Sequence, residues 1–198
     1  MKNIAFYHTN ADKLATQYDS LTFEQVHADW LPVLQQLPRG ASIADIGAGS
    51  GRDALALHHQ GFDVTAVEPA DKLRKLGQQK SPEIIWLDDT LPELRRLKLN
   101  QRYDLLLISA VWMHLVRNDQ KKALKSIKQL LKPHGFAVIT LRFGSFDDGR
   151  KAYELDADWL IHEAATNSLQ LHLNSSASDK LARQDVSWQT LVFRRLPE

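Results

Sequence analysis

The chain has 198 residues, 43% of them hydrophobic and 25% charged, with a formal net charge of +1. That suits one domain with a sizeable core, and no global field draws it to nucleic acid or an anionic membrane. The absence of cysteine excludes disulfides, thiolate metal sites and a cysteine nucleophile, and fits a reducing compartment.

The opening Met1–His8 has no apolar segment of signal-peptide type, and no run approaches the roughly 18 apolar residues that span a bilayer. A cytoplasmic protein without a membrane segment is expected. Residues 9–37 read as helical. Thr9 and Asn10 are candidate caps, and Thr22 with Gln25 forms a capping box. Phe23, Val26, Trp30, Val33, Leu34 and Leu37 then share one face, and Pro32 predicts a kink or two short helices.

After Pro38-Arg39-Gly40 the pattern changes to alternating strands and helices. Strands are predicted at 42–46, 62–67, 83–87, 103–108 and 136–141, with helices near 52–60, 71–79, 118–132 and 154–166. The unbroken apolar run Leu105-Leu106-Leu107-Ile108 predicts a strand buried on both faces. Two β-like stretches, 169–173 and 186–193, close the chain as an edge hairpin. The alternation predicts an α/β fold, a mostly parallel sheet with helices on both faces.

The sharpest local feature is Asp45-Ile46-Gly47-Ala48-Gly49-Ser50-Gly51-Arg52-Asp53. It follows a strand and opens a helix, the setting in which a glycine turn lets a ligand approach the backbone. Glu68 ends the next strand, where a carboxylate can accept from both ribose hydroxyls of a nucleoside. The spacing D-x-G-x-G-x-G is neither the G-x-G-x-x-G of dinucleotide folds nor a phosphate-binding loop.

On these residues the chain resembles the class I S-adenosylmethionine-dependent methyltransferases. Asp45–Gly51 is similar to their first motif and Val67-Glu68-Pro69 to their second. Trp86-Leu87-Asp88-Asp89-Thr90-Leu91-Pro92 is similar to the third, Leu107-Ile108-Ser109-Ala110 to the end of the fourth strand, and Leu131-Lys132-Pro133-His134-Gly135-Phe136 to the turn before the fifth. The likeness covers about residues 40–145. It implies a Rossmann-like seven-stranded sheet with its last strand antiparallel. It also implies one domain over 1–198, with an N-terminal helical lid at 1–38 and the core at 39–198. The cofactor implied is S-adenosyl-L-methionine. Asp45 would reach the methionyl amine through water, and Gly47, Ala48 and Gly49 would line the cofactor. Glu68 would hold the ribose, Pro69 would pack on the adenine, and Ser109 would lie beside the methionine. Asp89, ahead of Asp88, would accept from the adenine amine. Arg52 is expected at the methionyl carboxylate or a nearby helix end.

Methyl transfer from a sulfonium needs alignment and dryness more than strong base catalysis. The stretch Ser109–Leu115 lacks the Asn/Asp-Pro-Pro-aromatic motif of enzymes that methylate exocyclic base amines. His114 is a candidate base or a helix cap, and Trp112 a pocket wall or core. Arg142 and Arg150, after the fifth strand, are candidates to clamp an anionic acceptor, or else pair with Asp147, Asp148 or Glu154. Tyr7, His8 and Tyr18 are candidate lid residues. Lys121, Lys125, Lys128 and Lys132 form a stripe that reads as a solvated helix face. No ligand spacing among the histidines predicts a metal. The expected reaction is methyl transfer to a small-molecule acceptor. RNA or protein as acceptor, and a non-catalytic cofactor-binding domain, are the alternatives.

Overall fold

The apolar run of the fourth predicted strand lies at the centre of the sheet. In a computed structural model that describes residues 2–99, 101–181 and 183–197, Leu105, Leu106, Leu107 and Ile108 are all fully buried. Leu105 and Leu107 join one apolar cluster, and Leu106 and Ile108 the other. Successive side chains of a strand point to opposite faces, so an unbroken run serves two helical layers at once.

The strands are β1 Ser42–Ile46, β2 Asp63–Val67, β3 Ile85–Leu87, β4 Tyr103–Ser109, β5 Leu131–Phe143, β6 Leu169–Ser178 and β7 Ser187–Arg195. They form one sheet in the order β3-β2-β1-β4-β5-β7-β6. Pairings from β3 through β5 are parallel, and β7 runs antiparallel to both β5 and β6. The fold is therefore Rossmann-like, with the antiparallel strand inside the closing hairpin. Both hairpin strands are longer than their apolar patterns, because polar residues such as Ser175 and Ser176 still pair with Thr190 and Gln189.

Helices α1 Lys2–Thr9, α2 Ala11–Asp19, α3 Phe23–His27 and α4 Leu31–Leu34 precede the sheet. Helix α1 corrects the expectation that helix begins near residue 9. Asn10 stands at the N-cap of α2 without a side-chain capping bond, whereas Thr22 and Gln25 form the full capping box of α3. Pro32 occupies the first turn of α4, where its missing N–H costs nothing, so the predicted interruption becomes two short helices. The other helices are α5 Arg52–His59, α6 Asp71–Lys80, α7 Arg117–Leu130 and α8 Ala157–Thr166.

One sheet face carries α7 and α8 through Leu124, Ile127, Leu130 and Leu160. The other carries α5 with Phe23, Trp30, Val33 and Leu34. Burying each such large side chain contributes roughly 1.5–3 kcal/mol. A third small cluster joins Ala11 and Ala15 of α2 to Ala70 and Leu73 beside α6, with Tyr7 packed against it. It seats the N-terminal helices near the carboxyl ends of β1 and β2. The strand order reverses direction between β1 and β4, and ligands of open α/β sheets bind at the carboxyl edge of such a switch point.

Candidate active site

The turn after β1 is built so that only glycine fits its first position. Gly47 has φ +81°, and a Cβ there would fall 2.4 Å from Val111 Cγ2. Gly49 has φ +58° and lies under the Tyr18 ring, 3.6 Å from the place a Cβ would take. Left-handed backbone is cheap for glycine and costly for a branched residue. The Gly47 and Ala48 N–H groups donate to the Val67 carbonyl at 2.8 and 2.9 Å, which ties the turn to the end of β2.

Glu68 follows directly. Its carboxylate accepts from Gly49 N–H at 2.9 Å and Ala70 N–H at 2.7 Å, and only 6% of the residue is exposed. Burial pushes its pKa up to about 7, against the pull of those two N–H groups and the Arg74 guanidinium, with Asp88 adding to the rise. Asp45 is buried, and its Oδ2 has no hydrogen-bond partner. Burial first, then the Asp53 charge, hold its carboxyl well above the ordinary carboxylate range.

The acidic doublet after β3 divides its work. Asp89 Oδ2 accepts from the N–H groups of Arg96 and Leu97, and Oδ1 from Thr90. It caps the following turn. Asp88 has only an ion pair to Arg74 at 3.5 Å among the described residues. It neighbours Glu68, whose N–H donates to the Leu87 carbonyl.

Of its two expected positions, Arg52 takes the nearby helix end. Its Nε and Nη2 grip Asp53 at 2.7 and 2.8 Å, and Nη1 donates to the Tyr18 carbonyl at the end of α2. Asp53 is held on its other side by His27 Nε2 at 3.0 Å. The Trp30 indole donates to His27 Nδ1 at 3.0 Å. An indole N–H can only donate, so Nε2 carries the His27 hydrogen given to Asp53. Burial alone would raise the Asp53 pKa, but His27 and Arg52 together hold it below the ordinary range. Sequence reading missed this network, because no local pattern links residues 27 and 53. It fastens α2 and α3 to the helix that the glycine turn opens.

The second half of the site lies after β4 and β5. Ala110, at φ +56°, turns the chain after Ser109 and is held by Thr140 Oγ1 at 2.8 Å. Ser109 Oγ stands 3.5 Å from the same hydroxyl. Trp112 is fully buried and belongs to the core cluster rather than a pocket wall. His114 Nε2 lies 2.9 Å from the Tyr7 hydroxyl, and Nδ1 lies 2.9 Å from the Lys151 carbonyl. Arg150 Nη1 donates to that same hydroxyl at 3.3 Å. Burial, assisted by Arg150 and Arg142, lowers the His114 pKa.

Arg142, inside β5 rather than after it, and Arg150, on the two-glycine loop between β5 and α8, meet at Phe146, each 4.1 Å from its ring centroid. Arg150 is paired with Asp148, Nη2 to Oδ2 at 2.7 Å. Arg142 has no carboxylate partner among the described residues. Its Nη groups donate to the carbonyls of Gly144 and Ser145, while its buried Nε has no partner. Phe146 was also missed, since a lone aromatic on a polar loop gives no sequence signal.

Residues 44–139 match the family described as "Methyltransferase domain". The chain is 22% identical to the probable S-adenosyl-L-methionine-dependent methyltransferase TehB of Haemophilus influenzae, over 97% of this chain and 69% of that protein. It is 32% identical to the ubiquinone biosynthesis O-methyltransferase of Rickettsia akari, over 57% of this chain and 43% of the relative, so it spans less than half of that protein. Over residues 44–139 the chain carries a methyltransferase domain, and it is similar to the class I S-adenosylmethionine-dependent methyltransferases. Its fold matches that of the Burkholderia thailandensis 1,6-didemethyltoxoflavin-N1-methyltransferase with a TM-score of 0.74 at 19% identity, covering 98% of this chain and 87% of that one. For this methyltransferase the cofactor is S-adenosyl-L-methionine, and the turn suits it. The glycine at 47 leaves no room for a side chain, Glu68 presents a carboxylate among backbone N–H groups, and Asp45 carries an unpaired buried oxygen. No helix among the described residues is long and apolar enough to cross a membrane.

Proposed function

We propose that this chain transfers a methyl group from S-adenosylmethionine to a small-molecule acceptor that carries an anionic group. The observation that carries the reading is the meeting of two half-sites at one sheet edge. Tyr18 of α2 covers Gly49, while Tyr7 of α1 bonds His114 and Arg150. The N-terminal helices thus act as a lid that touches both halves.

When bound, the sulfonium cofactor supplies an activated methyl group. Gly47, Ala48 and Gly49 line it with backbone, Glu68 accepts from the ribose hydroxyls, and Pro69 packs on the adenine. Asp88, freer than Asp89, accepts from the adenine amine. Asp45 meets the methionyl amine through its unpaired Oδ2. Arg52 serves the site indirectly, by fixing α2 over the turn. Ser109 and Val111 border the methionine side.

On the acceptor side, Arg142 presents a buried guanidinium whose Nε has no partner. A carboxylate or phosphate would satisfy it and hold the acceptor in fixed orientation, which is what an in-line displacement needs. Arg150 is already neutralised by Asp148 and acts as a wall and hydrogen-bond donor. The similar enzymes of ubiquinone biosynthesis and of 1,6-didemethyltoxoflavin methylation support a small acceptor.

The test has two steps. Calorimetry should show S-adenosylhomocysteine binding and no comparable binding of NAD. A screen of small carboxylated and phosphorylated acceptors should then release S-adenosylhomocysteine with at least one of them. Tighter binding of NAD than of S-adenosylhomocysteine would overturn the reading.

A further inference from the structure

We propose that the Tyr7 hydroxyl is a catalytic group that takes the acceptor's proton and passes its own to His114, so that methyl transfer is completed only with α1 docked. The inference rests on the methyl-transfer reading above and adds to it the chemistry of the nucleophile, a protic O–H or N–H group.

Hydrogen-bond directions carry the argument. The Lys151 carbonyl can only accept, so His114 Nδ1 is the donor of their 2.9 Å bond. Asn3 Nδ2 lies at the same distance from Nδ1 and gives one of its two hydrogens to that carbonyl at 2.8 Å; the relay takes the tautomer in which the ring itself, and not the second amide hydrogen, supplies the proton at Nδ1. The carbonyl has a lone pair for each. With Nδ1 protonated, Nε2 is an acceptor, and its partner at 2.9 Å is the Tyr7 hydroxyl. The phenol proton is therefore directed at His114, while the phenol oxygen accepts from Arg150 at 3.3 Å. A hydroxyl whose proton is already held by a base can receive another proton on its oxygen.

The position suits the reaction. Tyr7 belongs to the cluster at α6, and its charge environment includes Glu68 on the cofactor side and Arg150 and Asp148 on the acceptor side. The groups facing the His114 ring from each packed element are Tyr7 of α1, the Lys151 carbonyl, Arg142 of β5, and Asp148 and Arg150 of the loop after it. Burial and the two guanidiniums keep the imidazole neutral and able to accept near neutral pH.

The step balances. The acceptor's lone pair forms a bond to the methyl carbon as the carbon–sulfur bond breaks, and that pair stays on sulfur. The acceptor's proton moves to Tyr7 Oη, and the Tyr7 proton moves to His114 Nε2. The positive charge lost from the sulfonium reappears on the imidazolium beside Arg142 and Arg150, and the Asp148 carboxylate offsets part of that repulsion. In this scheme His114 is a positioning residue that acts through Tyr7.

The test uses the full chain and two readouts. Nitrogen-15 NMR of the histidine rings should show the Nδ1–H tautomer for His114, and Tyr7→Phe should shift the pH at which that ring titrates. With the acceptor found by screening hydroxy- and aminobenzoates, Tyr7→Phe should lower kcat by about 10²-fold. It should also remove the rising limb of the pH–rate profile while leaving the Kd for S-adenosylhomocysteine within twofold. An Nε2–H tautomer, or wild-type kcat and pH profile in Tyr7→Phe, would overturn the relay. Loss of S-adenosylhomocysteine binding by the wild-type chain would instead overturn the methyl-transfer reading itself.

Discussion

The two halves of the site are built on opposite plans. The cofactor half is local: Asp45, Gly47, Gly49 and Glu68 lie within 24 consecutive residues, and backbone N–H and carbonyl groups make most of its bonds. The acceptor half is assembled from residues 7, 114, 142, 146 and 150, and side chains make its bonds. A backbone site is fixed once β1, β2 and the turn between them form. A side-chain site depends on α1 and a loop reaching it together. Damage to the first half should therefore act on cofactor affinity, and damage to the second on acceptor kinetics.

The largest effect is expected at the turn. Gly49→Val forces a branched residue into φ +58°, which costs roughly 1–2 kcal/mol in backbone strain and puts a side chain where the cofactor passes. Calorimetry should detect no S-adenosylhomocysteine binding, with far-ultraviolet circular dichroism near that of the wild type. A variant that binds normally would break the assignment of this turn.

Next comes the latch between the halves. Asp53→Ala leaves His27 and Arg52 without their shared buried partner, and breaking such a pair costs about 3–5 kcal/mol. Thermal denaturation should show a large fall in Tm. A nearly unchanged Tm would mean that the network adds little to the seating of α2 and α3.

These two variants also mark what the sequence could and could not reveal. The α/β order was legible because strand runs and helix faces repeat at periods set by backbone geometry. The cofactor half was legible because a glycine turn, the helix it opens and an acid at the next strand end are contiguous signals. The capping bonds of Asp89 were not, since its three backbone donors lie up to eight residues away and depend on how the chain turns after β3. The His27–Asp53 bond and the placing of Tyr7 on His114 are tertiary facts with no periodic signature. Arg142 and Arg150 looked equivalent in sequence, and the neighbouring Asp148 distinguishes them.

That distinction gives a sharper test of the acceptor half. Arg142→Met should raise the acceptor's KM about tenfold by removing a charge-assisted hydrogen bond. Affinity for S-adenosylhomocysteine should stay within twofold of the wild type. A change in cofactor affinity with unaltered KM would move Arg142 into the other half.

The smallest effects separate the acidic doublet. Asp89→Ala should lower stability by about 1–2 kcal/mol, because three N–H groups lose their acceptor. Asp88→Ala should leave Tm unchanged and weaken S-adenosylhomocysteine binding by about 1 kcal/mol. Equilibrium denaturation and calorimetry on both variants should show this crossed pattern. The reverse pattern would restore Asp89 to the adenine.

The central claim, that Glu68 receives the ribose, has its most direct test in pH-dependent calorimetry with S-adenosylhomocysteine on the wild type and Glu68→Gln. Burial raises the Glu68 pKa from 4.5 to about 7, so the protonated form favours folding. Its contribution to stability is complete below pH 4.5 and is lost as pH rises through 7. Ribose binding runs the other way, because the ionised carboxylate is the better acceptor for two hydroxyls. Wild-type affinity is predicted to rise between pH 6 and pH 8. Glu68→Gln should bind more weakly at pH 8, by roughly 1–3 kcal/mol, and should lose that rise. Equal affinity of the two proteins at pH 8, with the same pH dependence, would contradict the account.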